Sequence, residues 1–496
     1  MTLTLLSDFF LFTYVCCSVL LLLYGLNTHY IVYLFLKQRD ISGRDDLEKE
    51  ARYATRFEAT ESLPVVTTQI PLYNELNVAE RIIRAGAAID YPKPLHEIQV
   101  LDDSDDETCA LVDKLVEELQ EDGFRILVLR RENRVGYKAG ALEAGMQASE
   151  GVFIGIFDSD FLPPREFYRR VLPHLWADER CAFAQARWGH FNESDSWLTR
   201  AQAMGVDGHF IIEQTARNRS GLFMNFCGTA GVWRRAAIED SGGWQHDTVT
   251  EDLDLSYRAQ LRGWHAYYIP SLVVPAELPP SYRAYKSQQH RWAKGTMQTA
   301  RKLLPSLWRA PLSLREKVQG TVHLTHYSLH LQMSLLAVSI LPLLVGFSLD
   351  IGLYRSVLFL CLLIPAAAGP SFGYFVSQYH GYPDDWKRRV LRLPFLLVLG
   401  FGISLSNARA VVSGLFSNDR TFIRTPKKGA LAVKQYAVRK DRLPLFELLF
   451  AAYCAVTVGS LLFLHEYALV PFVVIYTLGY SLVGFKSIGE ARACRA

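Results

Sequence analysis

The sequence lacks a charge surplus. Its 53 lysines and arginines stand against 50 aspartates and glutamates, a formal net charge of +3, so nothing argues for nucleic acid as a partner. It also lacks paired cysteines. The eight present are scattered, with no Cys-x-x-Cys and no zinc-ligand spacing, which fits a reduced, cytosolic setting for the soluble part. No lysine or arginine precedes the first apolar run, Phe9 to Leu36, and the run is too long for a cleaved signal peptide. Between Leu63 and about Leu304 no stretch is apolar enough to cross a bilayer, so this region reads as a soluble domain.

Half of the 496 residues are nevertheless hydrophobic, high for a soluble enzyme and low for a membrane bundle. The apolar residues concentrate in Phe9–Leu36, Val322–Phe347, Ile351–Val376, Leu448–Leu464 and Ala468–Phe485, each read as a spanning helix. Lys37, Arg39, Arg44 and Lys49 follow the first run, which places the N-terminus outside and the soluble domain in the cytoplasm. The run Leu391 to Phe416 is flanked by basic residues on both sides, from Lys387 to Arg392 and from Arg420 to Arg442. Both flanks belong in the cytoplasm, so this run is expected to lie on the inner face as an amphipathic helix. The resulting division is a span (1–36), a cytosolic linker (37–62), the soluble domain (63–310), two spans (318–378), the interfacial helix (388–416), a cytosolic loop (417–443), two spans (445–485) and a cytosolic tail (486–496). His323, His326 and His330 share a face of the second span; they either sit at the interface or line a polar path.

In the soluble domain, β-rich runs alternate with helical patterns. Strands are expected at LPVVTTQI ending at Ile70, EIQVLD ending at Asp102, RILVLR, VFIGIFD ending at Asp158, and CAFAQAR near Cys181. Helices are expected at about 75–88, 107–120 and 138–148. The alternation predicts an α/β domain with a mixed, mostly parallel sheet, whose ligands bind at the carboxyl ends of the strands.

Four motifs stand at or near such ends. Asp102 and Asp103 end a strand in LDDSDDET, where turn and helix-cap chemistry from Ser104 or Asp105 is an equally complete account. Asp158 and Asp160, in FDSDF, point the same way if the chain is extended; a hard divalent cation would relieve their repulsion, although an ordinary acidic loop has the same composition. In TVTEDLDL, Thr250 can cap a helix whose first turn carries Glu251 and Asp252, and Asp252 could serve as a general base. In QQHRWAKG, Gln288, Arg291 and Trp292 share a helical face. Arg291 suits phosphate oxygens and Trp292 suits a sugar ring, but an interfacial helix with a snorkelling Arg and a belt Trp reads the same.

In this order, within one α/β domain ahead of a membrane bundle, the four motifs resemble the membrane-integrated, processive family 2 glycosyltransferases: cellulose, hyaluronan and chitin synthases and the plant cellulose-synthase-like mannan and glucan synthases. Further matches are GYKAGAL (136–142), NFCGTAGVWRR (225–235) and FIRTPKKG (422–429), the last similar to a cytosolic gating loop. The resemblance implies a GT-A-type nucleotide-sugar domain and inverting transfer. It gives Asp102, Asp103, Lys138, Asp158, Gln288, Arg291, Thr425 and Lys427 to the nucleotide sugar, and Asp158 and Asp160 to Mg2+ or Mn2+. Asp252 becomes the base, and Cys227, Glu251 and Trp292 contact the acceptor. It further implies a growing polysaccharide exported through the protein's own channel in the plasma membrane, with accessory subunits as further partners. Regulation by cyclic di-GMP would need another subunit, because no domain for it follows the last apolar run. UDP-glucose is the favoured donor, with GDP-mannose and a (gluco)mannan product next. A glycolipid synthase, a degenerate transporter and an anchored nucleotide-binding module are weaker readings: the first needs no long channel, the second no intact motifs, the third only one span.

Overall fold

The computed structural model describes residues 2–59, 62–346, 353–419, 421 and 442–493. A seven-stranded sheet forms the soluble domain, with strands β1 (Val66–Leu72), β2 (His96–Asp102), β3 (Arg125–Leu129), β4 (Phe153–Ile156), β5 (Cys181–His190), β6 (Gly231–Arg234) and β7 (His265–Ala276). Their order is β3-β2-β1-β4-β6-β5-β7. The first four strands pair in parallel, as do β5 and β7, and the short β6 joins the two blocks by antiparallel pairing to β4 and β5. This is the mixed, mostly parallel α/β sheet expected of a GT-A-type domain.

The five expected strands form within a few residues of their expected limits. β6 and β7 were not expected, for identifiable reasons. β6 has only four residues, too few to show alternation. β7 contains Pro270 and Pro275, which read as loop residues; the strand tolerates them because it is an edge strand, and its register jumps from Ile269 to Val273 to pass Pro270.

Helices Ala79–Ala87, Thr108–Glu121 and Phe167–Ala177 cover one face of the sheet with Ile82, Ile83, Val112, Leu115, Val171 and Leu172. Helices Tyr137–Ala148, Arg235–Asp240 and Glu251–Leu261 cover the other with Leu142, Met146, Ile238 and Leu255. Each such fully buried side chain contributes roughly 1.5–3 kcal/mol. Because β1, β2 and β4 run in parallel, their carboxyl ends open on one edge, where the acidic motifs lie.

The first helix is continuous from Thr2 to Tyr53, about 78 Å at 1.5 Å per residue, so most of the expected linker is helical. Its inner end docks on the domain through Asp46 to Arg219 (2.5 Å) and Glu50 to Arg170 (3.2 Å). Among the described residues, Asp8–Asp40, Leu314–Val345, Leu443–Phe463 and Val470–Arg492 are long and apolar enough to cross a membrane. Helix Leu353–Gly381 occupies the third expected run. The expected interfacial helix is broken: Trp386–Gly402 and Ser404–Phe416 meet at a 47° bend. LPFLLVLGFG before the bend is apolar on every side, so the amphipathic character is confined to the second piece, which buries Ser404, Ser406 and Asn407.

Candidate active site

The loop after β4 sets the centre of the site. Asp158, Ser159 and Asp160 form a turn rather than extended chain, with the Phe161 N–H donating to the Asp158 carbonyl at 3.0 Å. Strand alternation therefore does not align the two carboxylates, contrary to expectation. The turn is pinned to β7 by a Phe161–Ala276 bridge and by the Glu277 N–H donating to the Asp160 carbonyl (3.1 Å). On its other side the Asp158 N–H donates to Thr229 Oγ1 at 2.8 Å.

Lys138 enters from the helix that starts at Tyr137. It donates to Asp158 Oδ1 (2.5 Å) and to the Gly228 carbonyl (2.8 Å). Burial alone would lower its pKa, but Asp158, Glu251 and Asp252 together hold it above the ordinary value. The tight turn into this helix requires Gly140, where a Cβ would lie 2.2 Å from the Val135 carbonyl oxygen.

Glu251 and Asp252 open the helix Glu251–Leu261, as expected. Thr250 does not cap it: its hydroxyl pairs with Thr299 Oγ1 at 3.1 Å instead. Asp252 Oδ1 accepts from the Leu253 N–H at 2.8 Å. Burial, then the neighbouring Glu251 charge, push the Asp252 carboxyl up to about 7 against the pull of Lys138. Glu251 is also raised, chiefly by burial. A helix N-terminus favours negative charge, yet here desolvation and like charge win.

The QQHRWAKG segment lies on the helix Tyr282–Arg309. Its Gly295 meets Thr250, where a Cβ would stand 2.5 Å from Thr250 Cγ2. Arg291, Gly295 and Thr299 fall one turn apart on one face. The close approach at Gly295 thus carries Arg291 over the carboxylates. Burial lowers the Arg291 pKa, opposed by the charges of Asp158, Glu251, Asp160 and Asp252, so all four carboxylates lie near enough to act on this guanidinium. Gln288 and Trp292 are half-buried, and the Trp292 ring lies 6.5 Å from that of Trp188, which stacks on Phe210.

At the end of β2 the two adjacent aspartates differ, and the arginines that hold them follow β3. The Asp102 side chain is fully buried and bound by Arg130 (2.9 Å) and by the Ser104 N–H (3.1 Å). Asp103 is held by Arg131, with Nε donating to Oδ1 at 3.0 Å. Neither Ser104 nor Asp105 caps the following helix. Both side chains accept hydrogen bonds from Asn74, Ser104 Oγ from its N–H and Asp105 Oδ1 from its Nδ2, and it is Asp106 that accepts the Thr108 N–H. Beside Asp103, the Arg134 guanidinium sits 3.1 Å from the Tyr73 ring centroid. Arg130, Arg131 and Arg134 were missed in the sequence, where RRENR reads as an ordinary charged loop.

Cys227 lies on the Asp252 side of the site. Its sulfur accepts from Gln214 Nε2 (3.2 Å) and Asn225 Nδ2 (3.3 Å), and its N–H donates to Gln185 Oε1 (3.0 Å). Burial and then Asp252 push the thiol well above its ordinary pKa. A thiol held in its neutral form is a poor nucleophile. Thr425 and Lys427 lie outside the described residues.

The pattern described as "Glycosyltransferase like family 2" matches residues 64–295. Over 444 residues the chain is 35% identical to glucomannan 4-beta-mannosyltransferase 7 of Arabidopsis thaliana, covering 85% of this chain and 77% of that protein. The chain belongs to glycosyltransferase family 2. Glucomannan 4-beta-mannosyltransferase 2 of the same plant is also 35% identical, over 424 residues, 82% of this chain and 77% of that one. Among solved structures, mannosyltransferase PcManGT from Pyrobaculum calidifontis, in complex with GDP-Man and Mn2+, is similar with a TM-score of 0.46 and 18% identity, covering 78% of this chain and all of that one.

In this glycosyltransferase the donor set fits a divalent cation only in part. Asp158 and Asp160 offer hard oxygen ligands, but among the described residues no group of three or more His, Cys, Asp or Glu is arranged to hold a metal unaided. Phosphate oxygens and water would complete the shell, which suits Mg2+ or Mn2+ rather than a caged Ca2+.

Proposed function

We propose that this glycosyltransferase polymerises a β-1,4-linked mannan or glucomannan from GDP-mannose at the cytosolic face of the plasma membrane and passes the chain out through its own helices. The observation that carries the reading is the 35% identity over 85% of the chain to the two glucomannan mannosyltransferases. It outweighs the motif-level preference for UDP-glucose, which rests on short stretches.

The geometry supports the following roles. Asp103 and the Tyr73–Arg134 stack face the nucleoside, with Asp102 holding Arg130 behind them. Lys138 and Arg291 bind the diphosphate, together with Gln288; the resemblance of FIRTPKKG to a gating loop, rather than any geometry, adds Thr425 and Lys427. Asp158 and Asp160 would hold Mg2+ or Mn2+, which when bound offsets charge on the leaving diphosphate. Asp252 accepts the proton of the acceptor hydroxyl as its oxygen forms a bond to the anomeric carbon. The bond from that carbon to the phosphate oxygen breaks on the opposite face. A carboxyl raised to about 7 suits this work, since a base is most effective with a pKa near the operating pH. Cys227, Glu251 and Trp292 border the acceptor.

Membranes containing the protein, incubated separately with radiolabelled GDP-mannose and UDP-glucose, test the reading. Polymer formed from GDP-mannose and degraded by β-1,4-mannanase is expected. Polymer from UDP-glucose alone, cut by a glucanase, would move the product to a β-glucan. Label in lipid alone would make the enzyme a glycolipid synthase.

A further inference from the structure

The helix that starts at Trp197 passes at Gly208 into a π-helical turn, Gly208–Gln214. Such turns are rare and concentrate at functional sites. This one is clamped at both ends. Asp207 accepts from Gln378 Nε2 (3.2 Å) and the Tyr382 hydroxyl (3.1 Å). A Cβ at Gly208 would stand 2.9 Å from the Tyr374 ring, so the turn is pressed against the helix Leu353–Gly381. At the far end the buried Arg217 donates to Glu213 Oε1 (2.8 Å) and to the Phe223 carbonyl (3.4 Å).

The turn brings two polar side chains to Cys227 and a third, Glu213, behind His209. Gln214 donates to the Cys227 sulfur. His209 Nε2 lies 3.6 Å from the same sulfur, and His209 Nδ1 is 2.9 Å from Glu213 Oε2. With Nδ1–H donated to the carboxylate, Nε2 is left as an acceptor. Burial disfavours the Glu213 charge, but Arg217 and His209 outweigh it and hold the carboxyl well below its usual range. Both side chains keep about 30% exposure, while Phe210, Ile211 and Ile212 between them are buried. Two buried acceptors beside them, Gln214 Oε1 and Asn225 Oδ1, have no hydrogen-bond partner among the described residues. An ion pair with Arg217 would explain Glu213 alone. It does not explain why an oriented imidazole stands at the same sulfur as two amides whose oxygens have no partner among the described residues.

We propose that His209 and Glu213 form a hydroxyl clamp for the acceptor chain, holding its leading sugars beside Cys227 between successive transfers. An ionised carboxylate accepts two hydroxyls of a vicinal diol through charge-assisted bonds. Phe210, between the two clamp residues, is buried against the half-buried Trp188, whose ring lies 6.5 Å from that of Trp292, so these two indoles are the apolar surface near a sugar gripped by its hydroxyls. The clamp makes the enzyme processive because a chain that stays bound is extended again before it can leave.

The inference rests on the reading of this enzyme as a polymerase. Full-length wild type, Glu213→Gln and His209→Gln, in membranes, are supplied with whichever radiolabelled donor the wild type uses. Donor consumption and product length are followed together. The expected result is a split: median product length falls at least about five-fold further than donor consumption does. His209→Gln leaves the Glu213–Arg217 pair intact, so it remains informative if Glu213→Gln fails to fold. Glu213→Asp is expected to restore part of the length. Unchanged lengths in both variants, or length and donor consumption falling in equal proportion, would overturn the clamp. A wild type that makes no polymer from either donor would instead remove the functional reading beneath it.

Discussion

Gly228→Ala separates the position of the base from the integrity of the fold. Gly228 has φ +81°, where an L residue costs roughly 1–2 kcal/mol. A Cβ there would lie 2.9 Å from Asp252 Oδ2 and 3.4 Å from Lys138 Nζ. The obstructing atom is the end of a side chain, so Asp252 retreats by about half an ångström while the backbone, stapled by Ala230 to β4 and β5 (2.8 and 2.9 Å), stays. Misplacing a reacting group by about 1 Å costs on the order of a hundred-fold in rate; half of that suggests roughly ten-fold. The strain lowers Tm by only about 2–8 °C for a domain of this size. Initial rates of nucleoside diphosphate release and thermal unfolding in detergent would be measured on the same preparation. A variant as fast as wild type would refute the placement of the base, and a collapse of Tm would show that the loop, not the carboxylate, gives way.

Asp252→Asn should abolish transfer while leaving nucleotide affinity within a few-fold, as read by competition with labelled nucleotide; polymer made at the wild-type rate would remove Asp252 from the mechanism. The same variant should unfold at a higher temperature than wild type at pH 8. A carboxylate whose folded pKa is raised costs stability above that pKa and nothing below its unfolded value, so the gap should close towards pH 4; no gap at pH 8 would mean that the Asp252 charge is not strained. The rate of wild type should fall tenfold per unit as pH drops below about 7, where Asp252 takes up a proton; a flat rate from pH 7.5 to 5.5 would contradict the raised carboxyl. Asp160→Ala should raise the Mn2+ or Mg2+ concentration for half-maximal activity at least about ten-fold, whereas an unchanged requirement would place the metal elsewhere.

Motifs that put acidic groups at strand ends were readable because parallel topology gathers such ends whatever the loops do: β2 ends at Asp102 and β4 just before Asp158. What joins them was not. Arg291 reaches the carboxylates because Gly295 lets its helix touch Thr250, a contact 45 residues apart in sequence that no periodicity encodes. Thr250 was expected to cap its own helix and instead binds Thr299, since tertiary packing offered it a nearer partner. The different partners of Asp102 and Asp103 depend on Arg130 and Arg131 arriving from β3. His209 and Glu213 were hidden because GHFIIEQ reads as helix core, and only the π turn brings its polar residues to Cys227.

One helix, Tyr282–Arg309, links the candidate active site to two helices long and apolar enough to cross a membrane. At its start, the Tyr282 and Arg283 N–H groups donate to the Glu490 carboxylate at 2.8 and 3.0 Å. One turn on, Lys286 pairs with Glu447 (2.9 Å), whose side chain is fully buried in the helix Leu443–Phe463. Desolvation makes such a pair a weak source of net stability, but removing one partner strands a buried charge, so it fixes how far this helix can slide or rotate against the spans. Arg291 beside the carboxylates, Gly295 on Thr250, and Lys294 on Asp419 (2.7 Å) all follow on the same helix. Gly414 packs on the Lys294 carbonyl, where a Cβ would stand 2.5 Å away, so the helix Ser404–Phe416 is seated on it too. Any movement of Arg291 must therefore be a side-chain movement or a movement of the whole helix. The second would have to break Lys286–Glu447, which makes the side-chain route the cheaper one.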